Sequence, residues 1–258
     1  MYMIEEYLSD EEYEDYFPKL DNLRKKIAYA LPVEQNMSIL DLATGYGYFA
    51  IEIAKLEKNL KIIGIDISQN DVLNAKKNVK KYSCIEITQM NASKMSFSNG
   101  SFDIVVNFLG LEDIHMTRGK DGVYKTFHEV YRILKPEGYF CFVVMPPEEM
   151  ETEAQKIEVE VFSYICDATW LSGREYENML KEAGFTLISK TNYFTGKKLT
   201  PKQAKEEIEF ACDNVPKIYG YKTSTFEEVW AKFGYGIEKN GMGHYSKTVL
   251  MIARKGYP

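Results

Sequence analysis

Ser38-Ile39-Leu40-Asp41-Leu42-Ala43-Thr44-Gly45-Tyr46-Gly47-Tyr48-Phe49-Ala50-Ile51-Glu52-Ile53-Ala54-Lys55 is the stretch from which the rest of the chain can be read. Ile39 to Ala43 is apolar enough, and short enough, for a buried strand. Gly45 and Gly47 then free the backbone for a tight turn, and Phe49, Ile51, Ile53 and Ala54 follow at helical spacing. Strand, glycine turn and helix make the arrangement in which a backbone approaches a ligand closely. Gly45, Gly47 and Ala50 satisfy G-x-G-x-x-G/A, and Asp66 falls nineteen residues after Gly47, the separation of an acid that binds ribose. To this point the pattern implies a nucleoside cofactor without saying which.

Asp41 narrows the choice. It lies four positions before Gly45, giving Asp-x-x-x-Gly-x-Gly. A carboxylate there meets a pyrophosphate as a like charge, whereas it stabilises a ligand carrying an ammonium and a sulfonium. With these residues the chain resembles the class I S-adenosylmethionine-dependent methyltransferases. Later segments carry the same likeness: Ser101-Phe102-Asp103 opening a fourth strand, and Arg132-Ile133-Leu134-Lys135-Pro136-Glu137-Gly138 turning into a fifth. The resemblance covers residues 38–145 by motif.

The resemblance implies an α/β fold: a Rossmann-like, doubly wound seven-stranded sheet, mostly parallel with an antiparallel last strand, plus helical insertions. It implies S-adenosylmethionine as cofactor, bound by Asp41, Ala43, Gly45, Gly47, Asp66, Ile67, Asn91, Ala92 and Asn107. Asn91 stands where the family usually has an acid against the adenine amino group, and its side-chain carbonyl can still accept from that group. Asn107-Phe108-Leu109-Gly110 lacks the prolines typical of methyltransferases that modify base amines, which argues against a nucleic-acid substrate.

Composition sets outer bounds. The chain has 258 residues with 45% hydrophobic and 14% aromatic content, enough for one large domain with a sizeable core. Its net charge of −6 argues against a broad nucleic-acid footprint. No apolar run reaches the ~18 residues of a membrane span, and the acidic start lacks a signal-peptide plan, so a cytoplasmic protein is expected. Cys84, Cys141, Cys166 and Cys212 are scattered without a C-x-x-C pair, so buried free thiols are expected and no metal site.

Along the chain, one domain over 1–258 is expected. Residues 1–35 read as helical, with a Ser9/Glu12 capping box and a break at Pro18, and form a candidate lid. Tyr13 and Tyr16 are its candidates for facing a sulfonium, against the plainer reading of a helix on the sheet edge. Further strands are expected at Lys61–Ile67, Cys84–Gln89, Phe102–Asn107, Tyr139–Met145, 186–194 and Lys247–Ala253. Ser68 suits a helix N-cap, so Asp66 stays free for ribose. Residues 146–171 and 196–244 are insertions expected to frame the substrate pocket. Helices are expected from Glu148 to about Cys166, from Ser172 to Ala183, near Pro201–Cys212 and near Ser224–Phe233, then a glycine-rich tail.

Methyl transfer from a sulfonium is an in-line displacement that mainly requires positioning, with a base only for a protonated acceptor. No catalytic motif stands out. Asp113, His115 and His244 are the candidates, each weighed against an ordinary loop residue, and Glu112 and Asp113 could equally bind a cationic acceptor. His128 reads as structural on its helix. The leading expectation is methyl transfer to a small molecule. The alternatives are a protein side chain as acceptor, an NAD-dependent oxidoreductase, and a non-catalytic adenosyl-binding module.

Overall fold

A computed structural model describes residues 5–14, 20–219 and 223–256. Tyr16 and Pro18 lie outside the described residues. The chain divides into two compact units: a larger one of Leu20–Val144, Arg174–Thr191 and Val249–Pro258, and a smaller one of Met1–Lys19, Met145–Gly173 and Asn192–Thr248. The inserted segments of the expected single domain are what make up most of the smaller unit.

The larger unit is built on a seven-stranded sheet of β1 (Ser38–Leu42), β2 (Lys61–Asp66), β3 (Ile85–Gln89), β4 (Phe102–Phe108), β5 (Leu134–Val144), β6 (Phe185–Phe194) and β7 (Lys247–Lys255). Their order is 3-2-1-4-5-7-6. β1 pairs in parallel with β2 and β4, β2 with β3, and β4 with β5, while β7 runs antiparallel to β5. This is the doubly wound fold expected from the motifs. The central strands β1 and β4 are buried along nearly their whole length, as strands of a parallel sheet covered by helices on both faces are. Ile39, Leu40, Leu42, Ile104, Val105 and Val106 are fully buried. Phe127 packs edge-on to Phe140 and Phe142, with ring centroids 5.1 and 5.5 Å away.

Among the described residues, besides a short helix over Asp10–Glu14, the main helices are α1 (Asp21–Ala28), α2 (Tyr48–Ala54), α3 (Gln69–Asn78), α4 (Leu111–Ile133), α5 (Glu153–Ile165), α6 (Gly173–Ala183), α7 (Pro201–Tyr219) and α8 (Phe226–Asn240). Ser68 caps α3 by accepting from the Asp71 N–H at 3.3 Å, as its position suggests. α4 begins at Leu111, with a break at Gly119 (φ 65°, ψ −175°), so Glu112, Asp113 and His115 are helical rather than loop residues. β5 also starts earlier, at Leu134, because Glu137 adopts a left-handed conformation (φ 65°) that carries the chain through the turn without ending the strand.

In the smaller unit α5 starts at Glu153 rather than Glu148, since Thr152 and Gln155 form a capping box there. α7 and α8 are both longer than expected: Gly234 and Gly236 lie inside α8, which a Thr225/Glu228 capping box starts, and not in a tail. A three-stranded sheet of 6–7, 197–199 and 242–243 was not foreseen. The expected Ser9/Glu12 capping box forms, with reciprocal bonds of 3.0 and 3.1 Å. Among the described residues no helix is long and apolar enough to cross a membrane.

Candidate functional site

β1 is where the sheet order reverses: the chain fills β2 and β3 on one side and β4 onward on the other. In open α/β sheets the crevice outside the strands' carboxyl ends at such a point binds ligands. Leu42 and Asn107 face each other there in register, and Asp66 ends β2 alongside. The residues from Ala43 to Gly47 cross this edge. Ala43, Gly45 and Gly47 all have positive φ (48°, 52° and 79°), so three left-handed residues in five reverse the chain. A Cβ on Gly47 would stand 3.1 Å from Val79 Cγ1, whereas one on Gly45 would meet nothing within 4 Å. Gly47 is therefore held against α3, and Gly45 leaves its backbone open to a ligand.

Asp66 is the centre of the site. Its Oδ2 accepts from the Gly45 N–H and its Oδ1 from the Ser68 N–H, each at 2.9 Å. Burial raises its pKa, and those backbone N–H groups pull it down again. Ile67 beside it is 49% exposed, an apolar side chain left uncovered at the ligand edge. Asp41 is 1% exposed and accepts from Thr44 Oγ1 at 2.6 Å. Burial pushes its pKa up to about 7; the Thr44 bond opposes this, the neighbouring Asp66 adds to it, and Arg24 counters it. Asp41 thus faces inward, onto the turn.

Asn107 is wholly buried and both ends of its amide are engaged: Nδ2 donates to the Leu42 carbonyl at 2.7 Å and Oδ1 accepts from the Gly110 N–H at 3.2 Å. It ties the loop after β1 to the loop after β4. Asn91 Oδ1 accepts from the N–H and the hydroxyl of Ser93, at 3.0 and 2.9 Å. That carbonyl, expected to meet an adenine amino group, serves its own turn here, with Ala92 half-buried beside it. β3 and β2 run side by side up to this point, for the Met90 N–H donates to the Asp66 carbonyl at 2.9 Å.

His115 lies one helical turn past Gly110. It is half-buried, its Nδ1 is buried without a hydrogen bond, and burial lowers its pKa while Glu175 raises it. It is neutral at neutral pH. Asp113 is half-buried and Glu112 is 6% exposed. His128 is exposed on α4 with its ring 4.4 Å from that of Tyr124. Tyr13 and His244 belong to the smaller unit. Tyr13 Oη donates at 3.4 Å to the Gln203 carbonyl and to Glu207 Oε2. His244 is 3% exposed, and burial lowers its pKa to about 3. Cys141 and Cys166 are buried free thiols, Cys84 and Cys212 half-buried ones.

Sequence reasoning missed Arg24. Its guanidinium carbon lies 5.2 Å from the Tyr48 ring centroid and 5.3 Å from that of Phe108, and its charge reaches Asp41. Nothing in the sequence near Arg24 signals this. Thr44 was also passed over, although a hydroxyl three residues after a buried acid is a readable partner for it.

A family model described as a methyltransferase domain matches residues 33–184. Among relatives, “Putative methyltransferase YqeM” of Bacillus subtilis (strain 168) is 34% identical over 234 residues, covering 77% of this chain and 92% of that one. “Ubiquinone/menaquinone biosynthesis C-methyltransferase UbiE” of Rickettsia felis is 27% identical over 190 residues, covering 62% of this chain and 73% of its own. Among solved structures, one described as a “putative methyltransferase” from Bacillus halodurans C-125 superposes with a TM-score of 0.65 at 21% identity, over 91% of this chain and 99% of that one.

Proposed function

The chain belongs to the methyltransferase-domain family, the class I S-adenosylmethionine-dependent methyltransferases, and from that premise we propose that it methylates a small-molecule acceptor with S-adenosylmethionine as donor. The observation that carries the cofactor reading is Asp66. A carboxylate offers about four lone-pair sites, and the Gly45 and Ser68 N–H groups take two, leaving about two for a pair of ribose hydroxyls. The exposed side chain of Ile67 offers an apolar surface to the base, and the open backbone at Gly45 gives room beside it. These residues fit an adenosyl group.

When bound, S-adenosylmethionine supplies an electrophilic methyl group on a sulfonium. The protein's part is to hold the adenosyl end still and to exclude other geometries. Asp66 accepts the ribose hydroxyls. Asp41 and Asn107 act at one remove, Asp41 through Thr44 and Asn107 through Leu42 and Gly110, by fixing the turn on which the ligand rests. The negative charge that Asp41 can carry favours a cationic ligand without touching it. If the acceptor carries a proton at working pH, His115 is neutral and able to take it.

A small acceptor is favoured by the net charge of −6 and the absence of prolines after Asn107. The relative named for ubiquinone/menaquinone biosynthesis agrees with it. A cytoplasmic setting belongs to the same proposal. The test is transfer of labelled methyl from S-adenosylmethionine into an extract. Label in the small-molecule fraction supports the reading, and label in protein or nucleic acid alone overturns the choice of acceptor.

A further inference from the structure

The smaller unit contains an acidic cluster that methyl transfer does not use. Glu158, on α5, is 2% exposed. The carboxylates of Glu5 and Glu207 lie near enough to act on it, from the N-terminal segment and from α7. Among the described residues, no ion pair joins Glu5, Glu158 or Glu207 to a cation, although Lys197, in the small sheet, pairs with Glu6 and Glu12. Glu207 has Tyr13 Oη as its donor, and Glu158 Oε1 accepts from the Tyr245 N–H at 2.5 Å. Glu158 Oε2 and Glu5 Oε1 are buried with no hydrogen bond.

A second observation points into the cluster. Ser246 is fully buried and its Oγ has no partner. A methyl group built on Gly243 would lie 2.5 Å from Glu158 Oε2 and 3.1 Å from Ser246 Oγ, so the two orphaned oxygens crowd the same side of one glycine. Buried acceptors without donors are costly, and buried carboxylates without a counter-charge more so. A single proton on Glu158 removes one charge but leaves the other oxygens unanswered. No group of three or more His, Cys, Asp or Glu among the described residues is placed to hold a metal ion.

An ammonium group answers both demands. It carries one positive charge and three N–H donors, matching the three unpartnered oxygens on Glu5, Glu158 and Ser246. We propose that the smaller unit binds the primary ammonium group of a small organic amine, with Glu158 as its central acceptor. The inference stands on this unit alone and does not depend on methyl transfer. Because Glu158 is held protonated near neutral pH, with a pKa pushed up to about 8 chiefly by burial, the ammonium displaces that proton as it binds. The other titratable groups facing it are Glu5 and Glu207, with His244 adjoining Tyr245 in the turn.

The test is calorimetric titration of the full chain with 1,4-diaminobutane at pH 7 in two buffers of different ionisation enthalpy. Tetramethylammonium, which has the charge but no N–H, serves as the contrast. Expected are binding of the diamine with release of up to one proton, no binding of tetramethylammonium, and at least a tenfold loss in Glu158→Gln. That variant keeps the acceptor for the Tyr245 N–H. Should it fail to fold, Glu5→Gln reads the loss at another of the three acceptors without touching the turn. S-adenosylhomocysteine is titrated beside each protein, so failure of the cofactor site registers separately. No heat with the diamine, equal binding of tetramethylammonium, or unchanged affinity in the folded variants would overturn the inference.

Discussion

Replacing Asp66 by asparagine changes one oxygen for an NH2 group where both hydrogen-bonded backbone neighbours are donors. The Gly45 and Ser68 N–H groups each point at a different carboxylate oxygen from 2.9 Å. Asparagine keeps one acceptor and turns its amide nitrogen toward the other N–H. One of the two ribose bonds to a charged acceptor is lost and the other becomes neutral. Hydrogen bonds to charged groups contribute about 1.5–3 kcal/mol each. The expected loss of adenosyl affinity is therefore about 1.5–3 kcal/mol, roughly 10- to 150-fold. Burial raises the Asp66 pKa, so the titration belongs on the alkaline side of neutrality, which favours the ionised form of the wild-type carboxylate. S-adenosylhomocysteine is titrated into both proteins by calorimetry, with thermal melts of the ligand-free forms to separate binding from folding. The melt itself is expected to fall by about 2–4 °C, from the one backbone bond lost. An affinity within twofold of wild type in a folded variant would refute the ribose assignment.

Asn107→Ala should destabilise the ligand-free protein by about 2–5 kcal/mol in urea denaturation, since it strands the buried Leu42 carbonyl and Gly110 N–H. Gly110→Ala would put a Cβ 2.6 Å from Ala43 Cβ and 2.7 Å from Asn107 Nδ2, and should cost about 1–3 kcal/mol by the same assay while weakening adenosyl binding. The folded pKa of Asp41, about 7, is raised above the ordinary 3.8. Its contribution to stability is thus fully present below about pH 4 and lost as the pH rises towards 7. Asp41→Asn should remove that component, leaving a stability profile flatter than wild type between pH 4 and 7 when urea midpoints are compared; a parallel profile would count against it. Over the same range wild-type affinity for S-adenosylmethionine should rise as Asp41 ionises, and the rise should be absent in Asp41→Asn.

What the sequence discloses here is what is local. Asp41, Gly45, Gly47 and Asp66 declare themselves because a strand, a turn and a strand-end acid occupy fixed spacings, and the structure puts all four at one sheet edge. Ser68 could be read as a cap because capping involves residues three apart. Asn107 was legible as a position at the ligand edge, but its bond to the Leu42 carbonyl spans 65 residues, and no periodicity reports such a partner. Arg24 is hidden for the same reason. Glu112 to His115 read as a loop because Gly119 interrupts the helical pattern, yet the chain turns helical on both sides of that break. Gly234 and Gly236 suggested a tail, whereas the Thr225 cap and the apolar face of α8 carry the helix through them. The small sheet escaped because strands of two and three residues have no measurable alternation.

The central claim is that the switch-point crevice beside Asp66 holds an adenosyl methyl donor. Calorimetric titration of wild-type protein with S-adenosylhomocysteine, run beside NAD at equal concentration, tests it most directly. Micromolar binding of S-adenosylhomocysteine with none of NAD is the predicted result. Binding of NAD without S-adenosylhomocysteine would contradict the account, and would mean that the carboxylate of Asp41 does not select against a pyrophosphate.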